Sequence, residues 1–309
     1  MSVRLGLGFL QFPFSNPNAF WRWVDQCEDT GVDSLWLSER IVSTQNYLEP
    51  MSALAAIAGR TRRMKFGMST VVLPLRDPTI LAKECATIDY LSEGRFLPMF
   101  GVGNDVAPEW KAMNVSAKTR GSKSNEMLEL LARLWSEDSV THHGKYFDLD
   151  NVTIMPKPVQ DPLPLWIGGS SDAAIERTAR YGTGWIAGGA QTPAQLGRVV
   201  SAIREKAIEY ERPIDDDHYG AGFSFRFGTW EEAAVQRQVQ AFAQRAPGID
   251  PKAFMAVGGP DDVVQLVKVV RAVGISKFVL RPIATDDEDM LYQSRILADE
   301  VIPQVNILA

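Results

Sequence analysis

The sequence predicts an α/β fold, a (β/α)8 TIM barrel with an insertion after the strand-four unit. Residues 64–104, MKFGMSTVVLPLRDPTILAKECATIDYLSEGRFLPMFGVGN, read as strand, loop, helix, turn, strand, and a unit of that length makes its two strands parallel neighbours. The same alternation recurs until eight strands are counted. The chain has 309 residues, 45% of them hydrophobic, with no linker or composition shift; a barrel needs about 250 residues plus insertions. We therefore expect one domain over residues 1–309.

The apolar run at residues 5–9 is the first strand, followed by a loop carrying Gln11, Phe12 and Phe14 and a helix over 17–30 that Gly31 stops. Strand two is 34–38 (SLWLS), ending at Glu39 and Arg40, and a helix follows over 50–60. Residues 65–73 are β-branched and apolar, as in a strand buried on both faces. Pro78 suits the first position of the next helix, along which Leu81, Cys85 and Ile88 recur at helical spacing. Strand four is 96–100, a loop containing Glu109 and Trp110 follows, and helical spacing returns over 120–135. The proline-rich stretch 138–164 alternates in short strand-like pieces and reads as the insertion. Strands five to eight fall at 165–167, 184–187, 219–227 and 277–281. Helices fall at 171–181, 193–210, 230–245, 261–273 and 288–301.

Net charge is −6, from 32 basic and 38 acidic side chains, which speaks against nucleic-acid binding. Cys27 and Cys85 both occupy apolar helical positions and read as buried thiols. No run approaches the roughly 20 apolar residues of a membrane span, and no signal-type segment opens the chain, so the expected location is cytoplasmic.

In such a barrel the active site lies just past the strand ends. The candidates are Gln11, Glu39, Arg40, Ser69 to Val71, Gly101 to Asn104, Gly168 to Ser171, Gly188, Arg226 and Arg281. None is a histidine, and only Glu39 could serve among metal-ligating carboxylates, so no metal site is expected. No strand ends in a Schiff-base lysine, no G-x-S-x-G elbow occurs, and paired carboxylates are missing from strands four and seven. A mouth so poor in acid, base and nucleophile suits a cofactor that brings its own reactivity. Gly168-Gly169-Ser170-Ser171 opens a helix and offers backbone amides and two hydroxyls to a phosphate; a plain turn and cap is the other reading. Ser69 and Thr70 fall at the end of strand three, where small residues let a flat ring approach the backbone, ordinary packing being the other reading, and Gly101 and Gly103 after strand four invite the same two readings. Arg281 could meet an anionic cofactor tail or an ordinary ion-pair partner.

Three blocks together resemble the luciferase-like monooxygenase superfamily, which includes bacterial luciferase and the F-420-dependent reductases. They are GMSTVVLPLRDPTILAKECATIDYLSEGRFLPMFGVGN, HGKYFDLDNVTIMPKPVQDPLPLWIGGSSDAAIERTARYGTGWIAG and AVGGPDDVVQLVKVVRAVGISKFVLRP. The resemblance implies a flavin-type ring over the barrel mouth, a non-prolyl cis peptide at Ser69–Thr70 beneath it, and the cofactor phosphate at the Gly168–Ser171 turn. It implies FMN or F-420 as cofactor, a small organic substrate, a separate flavin reductase on the flavin branch, and a homodimer. Where many relatives carry an acidic residue followed by histidine, this chain has Glu39-Arg40, and arginine is a poor proton shuttle. Asn104 stands where F-420-dependent sugar-phosphate dehydrogenases carry glutamate, which speaks against that reaction. The expectation is thus a luciferase-like monooxygenase using reduced FMN. The alternatives are an F-420-dependent reductase or dehydrogenase and a non-catalytic flavin-binding protein.

Overall fold

Most helices begin where a side chain can replace the missing turn of hydrogen bonds. In the computed structural model, which describes residues 2–245 and 247–307, the chain starts with β1 (Arg4–Gly8) and α1 (Pro17–Asp29). Asn16 caps α1 by accepting from the Ala19 amide at 3.0 Å, and Pro17 occupies the first turn. Next come β2 (Ser34–Leu37), α2 (Pro50–Arg60), β3 (Lys65–Met68), β4 (Val71–Val72) and α3 (Pro78–Leu91). Glu49 and Asp77 cap α2 and α3 in the same way. The middle of the chain supplies β5 (Phe96–Leu97), β6 (Met99–Gly101), α4 (Glu109–Ala112), α5 (Arg120–Ser136), β7 (Val140–His143) and β8 (Asp148–Val152). Then follow β9 (Trp166–Gly168), α6 (Asp172–Tyr181), β10 (Gly184–Ile186), α7 (Pro193–Glu209), β11 (Tyr219–Ala221), β12 (Ser224–Phe227) and α8 (Ala233–Arg245). The chain continues with β13 (Met255–Gly258), α9 (Pro260–Arg271), β14 (Lys277–Pro282), α10 (Asp287–Ile296), a π-helical turn over Leu297–Val301 and α11 (Ile302–Asn306).

The result is an α/β fold on a curled parallel sheet. β1 pairs with both β2 and β14, β2 with β3, β3 with β5, β4 with β6, and β6 with β9. From there β9 pairs with β10, β10 with β11, and β11 with β14, every ladder parallel. Inside the curl Trp36, Leu97, Met99, Trp166, Ile186 and Val279 form a cluster of their own, and a larger apolar layer joins the sheet to the helices. Each fully buried side chain of this size contributes about 1.5 to 3 kcal/mol.

Several expected elements are corrected in detail. The third strand is two pieces, β3 and β4, parted at Ser69–Thr70. The fourth breaks at Pro98, which has no N–H for the ladder, and the seventh breaks between β11 and β12. A short apolar run that reads as the approach to Gly258 is a strand, β13, which pairs in parallel with β12 outside the main course of the sheet. The loop at Glu109 and Trp110 holds the single turn α4. The 138–164 stretch contains an antiparallel hairpin, β7 with β8. His142 and His143 sit on it, facing Glu126 at 3.2 Å and Asp148 at 2.5 Å.

Cys27 and Cys85 are buried and unpaired by any disulfide. Burial pushes both thiols well above their ordinary range, so neither ionises at neutral pH. The native protein is expected to give no fast reaction with Ellman's reagent at pH 8 and two equivalents once unfolded in guanidinium; fast native labelling would place a thiol at the surface. No helix of the described residues is long and apolar enough to cross a membrane.

Candidate active site

Three cavities open around the ends of the parallel strands, and Leu10, just past β1, lines all of them. The first, of about 410 Å³, gathers Glu39 and Arg40 after β2, Ser69 and Thr70 between β3 and β4, and Gly103 and Asn104 after β6. Six of the ten expected site residues therefore meet in one place. Glu109 and Trp110 on α4 close its side.

The floor of this cavity is built from small residues. The Ser69–Thr70 peptide is cis, as the resemblance implies, and the Ser69 amide donates to Leu37 O at 2.8 Å. A Cβ at Gly101 would come within 2.7 Å of Thr70 Oγ1, and one at Gly168 within 2.7 Å of Thr70 Cγ2. The glycines that end β6 and β9 thus make room for the Thr70 side chain, and through Gly168 the bulge touches the turn that opens α6.

That turn carries the other four expected residues, Gly168, Gly169, Ser170 and Ser171. Gly169 has φ +111°, a conformation that side chains resist, and its carbonyl accepts from Trp185 Nε1 at 2.6 Å. Ser171 caps α6 through the Ala174 amide at 3.3 Å, and Ser170 Oγ accepts from Gln191 Nε2 at 2.5 Å. Both hydroxyls are engaged within the protein, and Asp172 occupies the first turn, so what α6 offers an anion is chiefly its amide end. The turn does not line the first cavity. It lies between that cavity and the second one, since Gly188 abuts Gly169 and Gly189 lines the second.

The charged residues divide by how they are partnered. Glu39 is 1% exposed in its side chain; Oε1 accepts from Arg76 at 2.5 Å and Oε2 from the Val72 amide at 2.7 Å. Burial raises its pKa, and Arg76 and the Val72 amide pull the other way. Both oxygens are committed to the segment that follows the bulge, a positioning geometry. Arg76 also meets Glu49 at 2.7 Å. Arg40 is half-exposed, 3.7 Å from Glu109 Oε1. Glu109 is 4% exposed, and its Oε2 has no hydrogen-bond partner. Sequence reading placed Glu109 in a loop without a role; a carboxylate beside a buried tryptophan is the only local signal that sets it apart. Asn104 spends its side chain on the Val106 amide, at 3.1 Å. Arg226 is bound to Glu232 and Asp289 at 2.6 and 2.5 Å and is structural.

No histidine, cysteine or lysine among the described residues lines any of the three cavities. His218 lies elsewhere, with Nδ1 2.8 Å from Thr183 O. The mouth therefore offers an apolar and small-residue floor, amides, arginines and one carboxylate oxygen without a partner.

Comparison with known proteins adds four findings. The model of a family described as luciferase-like monooxygenase matches residues 9–262. An F420-dependent glucose-6-phosphate dehydrogenase of Amycolatopsis mediterranei is 24% identical over 329 residues, covering 94% of this chain and 96% of that one. Among solved structures, an F420-dependent secondary alcohol dehydrogenase bound to an F420–acetone adduct superposes with a TM-score of 0.83 at 19% identity, covering 99% of each chain. The FMN-bound oxygenating constituent of a Pseudomonas putida diketocamphane monooxygenase superposes with a TM-score of 0.81 at 19% identity, covering 98% of this chain and 99% of that one. At these identities the structural likeness speaks for the fold, which is TIM-barrel-like.

Proposed function

The chain belongs to the luciferase-like monooxygenase family, and from that membership we propose that it is an oxidoreductase that works with FMN or F-420 on a small organic substrate. The observation that carries this reading is the composition of the mouth: a roomy cavity floored by Thr70 against Gly101 and Gly168, lined by no cysteine, lysine or histidine among the described residues. Such a site has to import its redox chemistry. Thr70, Ser69, Gly103 and Asn104 would face the ring, and the amide end of α6 at Gly168–Ser171 would take the phosphate. When bound, such a ring supplies hydride transfer or, as reduced flavin, oxygen chemistry. The reading includes an eight-stranded (β/α)8 barrel with the 138–164 insertion, a homodimer, and a separate reductase if flavin is used.

Two branches divide the family, and one observation favours hydride transfer. Glu109 Oε2 is buried, unpartnered and on the wall of the same cavity, where it can accept the proton of a substrate hydroxyl, and Arg40 stands 3.7 Å from its other oxygen. The full-length match to an F420-dependent dehydrogenase supports the same branch. An oxygenase fed with reduced FMN is the other branch. Fluorescence titration of the purified protein with FMN, reduced FMN and F-420 is expected to show at least one of them binding in the micromolar range or tighter. Binding of none would overturn the proposal, and binding without turnover of any alcohol, aldehyde or ketone tried would make the protein a flavin-binding relative.

A further inference from the structure

Arg281, near the end of β14, lines the second cavity with no ion-pair or hydrogen-bond partner for its guanidinium among the described residues. Three other arginines at the mouth each have a carboxylate within 4.0 Å: Arg40 has Glu109, Arg76 has Glu39, and Arg226 has Glu232 and Asp289, whereas Arg237 is exposed to solvent. The cavity measures about 310 Å³ and adjoins the third through Leu10, Ser224, Phe242 and Arg281 itself. No aspartate or glutamate among the described residues lines either one, although the chain as a whole carries −6, and Arg237 adds a second positive side chain to the third. Gly222 lies beside the guanidinium: a Cβ there would meet Val279 O at 2.3 Å and would also crowd Nη1 at 3.2 Å. Around it the wall is aromatic, with Phe223, Phe242 and Phe254, the last two 4.8 Å apart centre to centre. Burial lowers the pKa of Arg281 to about 10, so it remains charged at neutral pH.

A half-buried guanidinium that faces a cavity with no counter-ion leaves its donors free for a ligand that supplies the missing charge. The geometry points to a substrate that is an organic carboxylate with a compact apolar body, its anion on Arg281 and its body against Phe223, Phe242 and Phe254. The cofactor's phosphate has its own cradle at Gly168–Ser171 and needs no guanidinium here. Planar carboxylate matches the guanidinium fork in a two-point contact, and the aromatic wall suits the rest. This inference rests on the mouth being the active site, as proposed above. It deepens that reading by naming the substrate's charge.

The test is calorimetric binding of benzoate, phenylacetate and hexanoate, each against its neutral amide, to the cofactor-free and the cofactor-loaded protein. At least one acid is expected to bind about tenfold or more tighter than its amide, as a charge-assisted hydrogen bond implies. Arg281→Met should abolish that preference and Arg281→Lys keep part of it. Cofactor affinity in both should stay within about threefold of the parent protein, since the charge-assisted hydrogen bond that is lost belongs to the acid alone. Equal binding of every acid and amide by the unaltered protein overturns the inference without recourse to a variant. So does a preference that survives Arg281→Met, or a loss of cofactor affinity on that substitution with the preference intact, which would give Arg281 to the cofactor. Should the acid preference hold while neither FMN nor F-420 binds, the anion site stands and the proposed function falls.

Discussion

Asp33→Ala is expected to cost the protein about 3 to 5 kcal/mol, because it strands a buried ammonium. Lys277 opens β14 at the end of the sheet away from the mouth; its side chain is 2% exposed, and its Nζ donates to Asp33 Oδ2 and lies 5.8 Å from the centre of the Trp36 ring. Asp33 also ties three strands through its backbone, donating to Leu5 O at 2.9 Å and accepting from the Lys65 amide at 3.1 Å. Alanine keeps those backbone bonds and removes only the carboxylate. Burial already lowers the Lys277 pKa, and Asp33 is the chief influence raising it again. Without Asp33 the folded-state pKa falls further below the ordinary value of 10.5. Between those two values the unfolded chain holds the extra proton, so the stability of the variant rises with pH. Asp33's own carboxyl is held below its ordinary 3.8, so its contribution in the parent protein is present above that pH and is lost as pH falls through the lowered value. Urea melts at pH 7 and pH 9 check the size of the loss and its direction with pH. A loss under about 1 kcal/mol, or one that does not shrink at pH 9, would mean that the Lys277 site takes in water; Asp33→Ala with Lys277→Met should recover most of the loss, because buried pairs are often replaceable by apolar groups.

What the sequence revealed of this molecule follows from which interactions are local. Apolar runs such as 277–281 and the helix start at Pro78 depend on neighbours a few residues away, and they appear where periodicity and helix-start chemistry place them. The breaks at Ser69–Thr70 and Pro98 serve contacts between strands, so periodicity runs straight across them; the first was foreseen only through family resemblance. β13 is apolar in the manner of many loop approaches and becomes a strand because β12, itself paired with β14, offers it a parallel neighbour. The site divides the same way. Position after a strand end identified Glu39, Arg40, Ser69, Thr70, Gly103 and Asn104 as one group. The state of each charge was not legible: whether Glu39 is consumed by Arg76, whether Glu109 keeps an oxygen unpartnered, or whether Arg281 lacks a counter-ion depends on acids and arginines up to dozens of residues away.

Glu39→Leu is expected to lower stability by about 2 to 4 kcal/mol, since it orphans the Val72 amide and removes the best-buried of the carboxylates around Arg76. The larger effect falls on binding. Val72 comes two residues after Thr70, and with its anchor gone the floor of the first cavity is no longer held, so cofactor affinity should drop about tenfold or more, the scale of a misplaced contact surface. Glu39→Gln separates this positioning role from the acid or base role that its place after β2 first suggests. The amide keeps an acceptor for Val72 and a dipole for Arg76, so a positioning residue loses little affinity and little turnover on this change. An acid or base would keep affinity and lose turnover by about a hundredfold or more. The pH dependence distinguishes them again. The folded-state pKa of Glu39 is raised above its ordinary 4.5, so its stabilising contribution is complete below pH 4.5 and is lost as pH rises through the higher value. The glutamine variant has no such loss, and its stability relative to the parent protein should therefore improve from pH 4 to pH 7; a difference that moves the other way would show that Arg76 overcomes burial and holds Glu39 as a fully stabilised carboxylate.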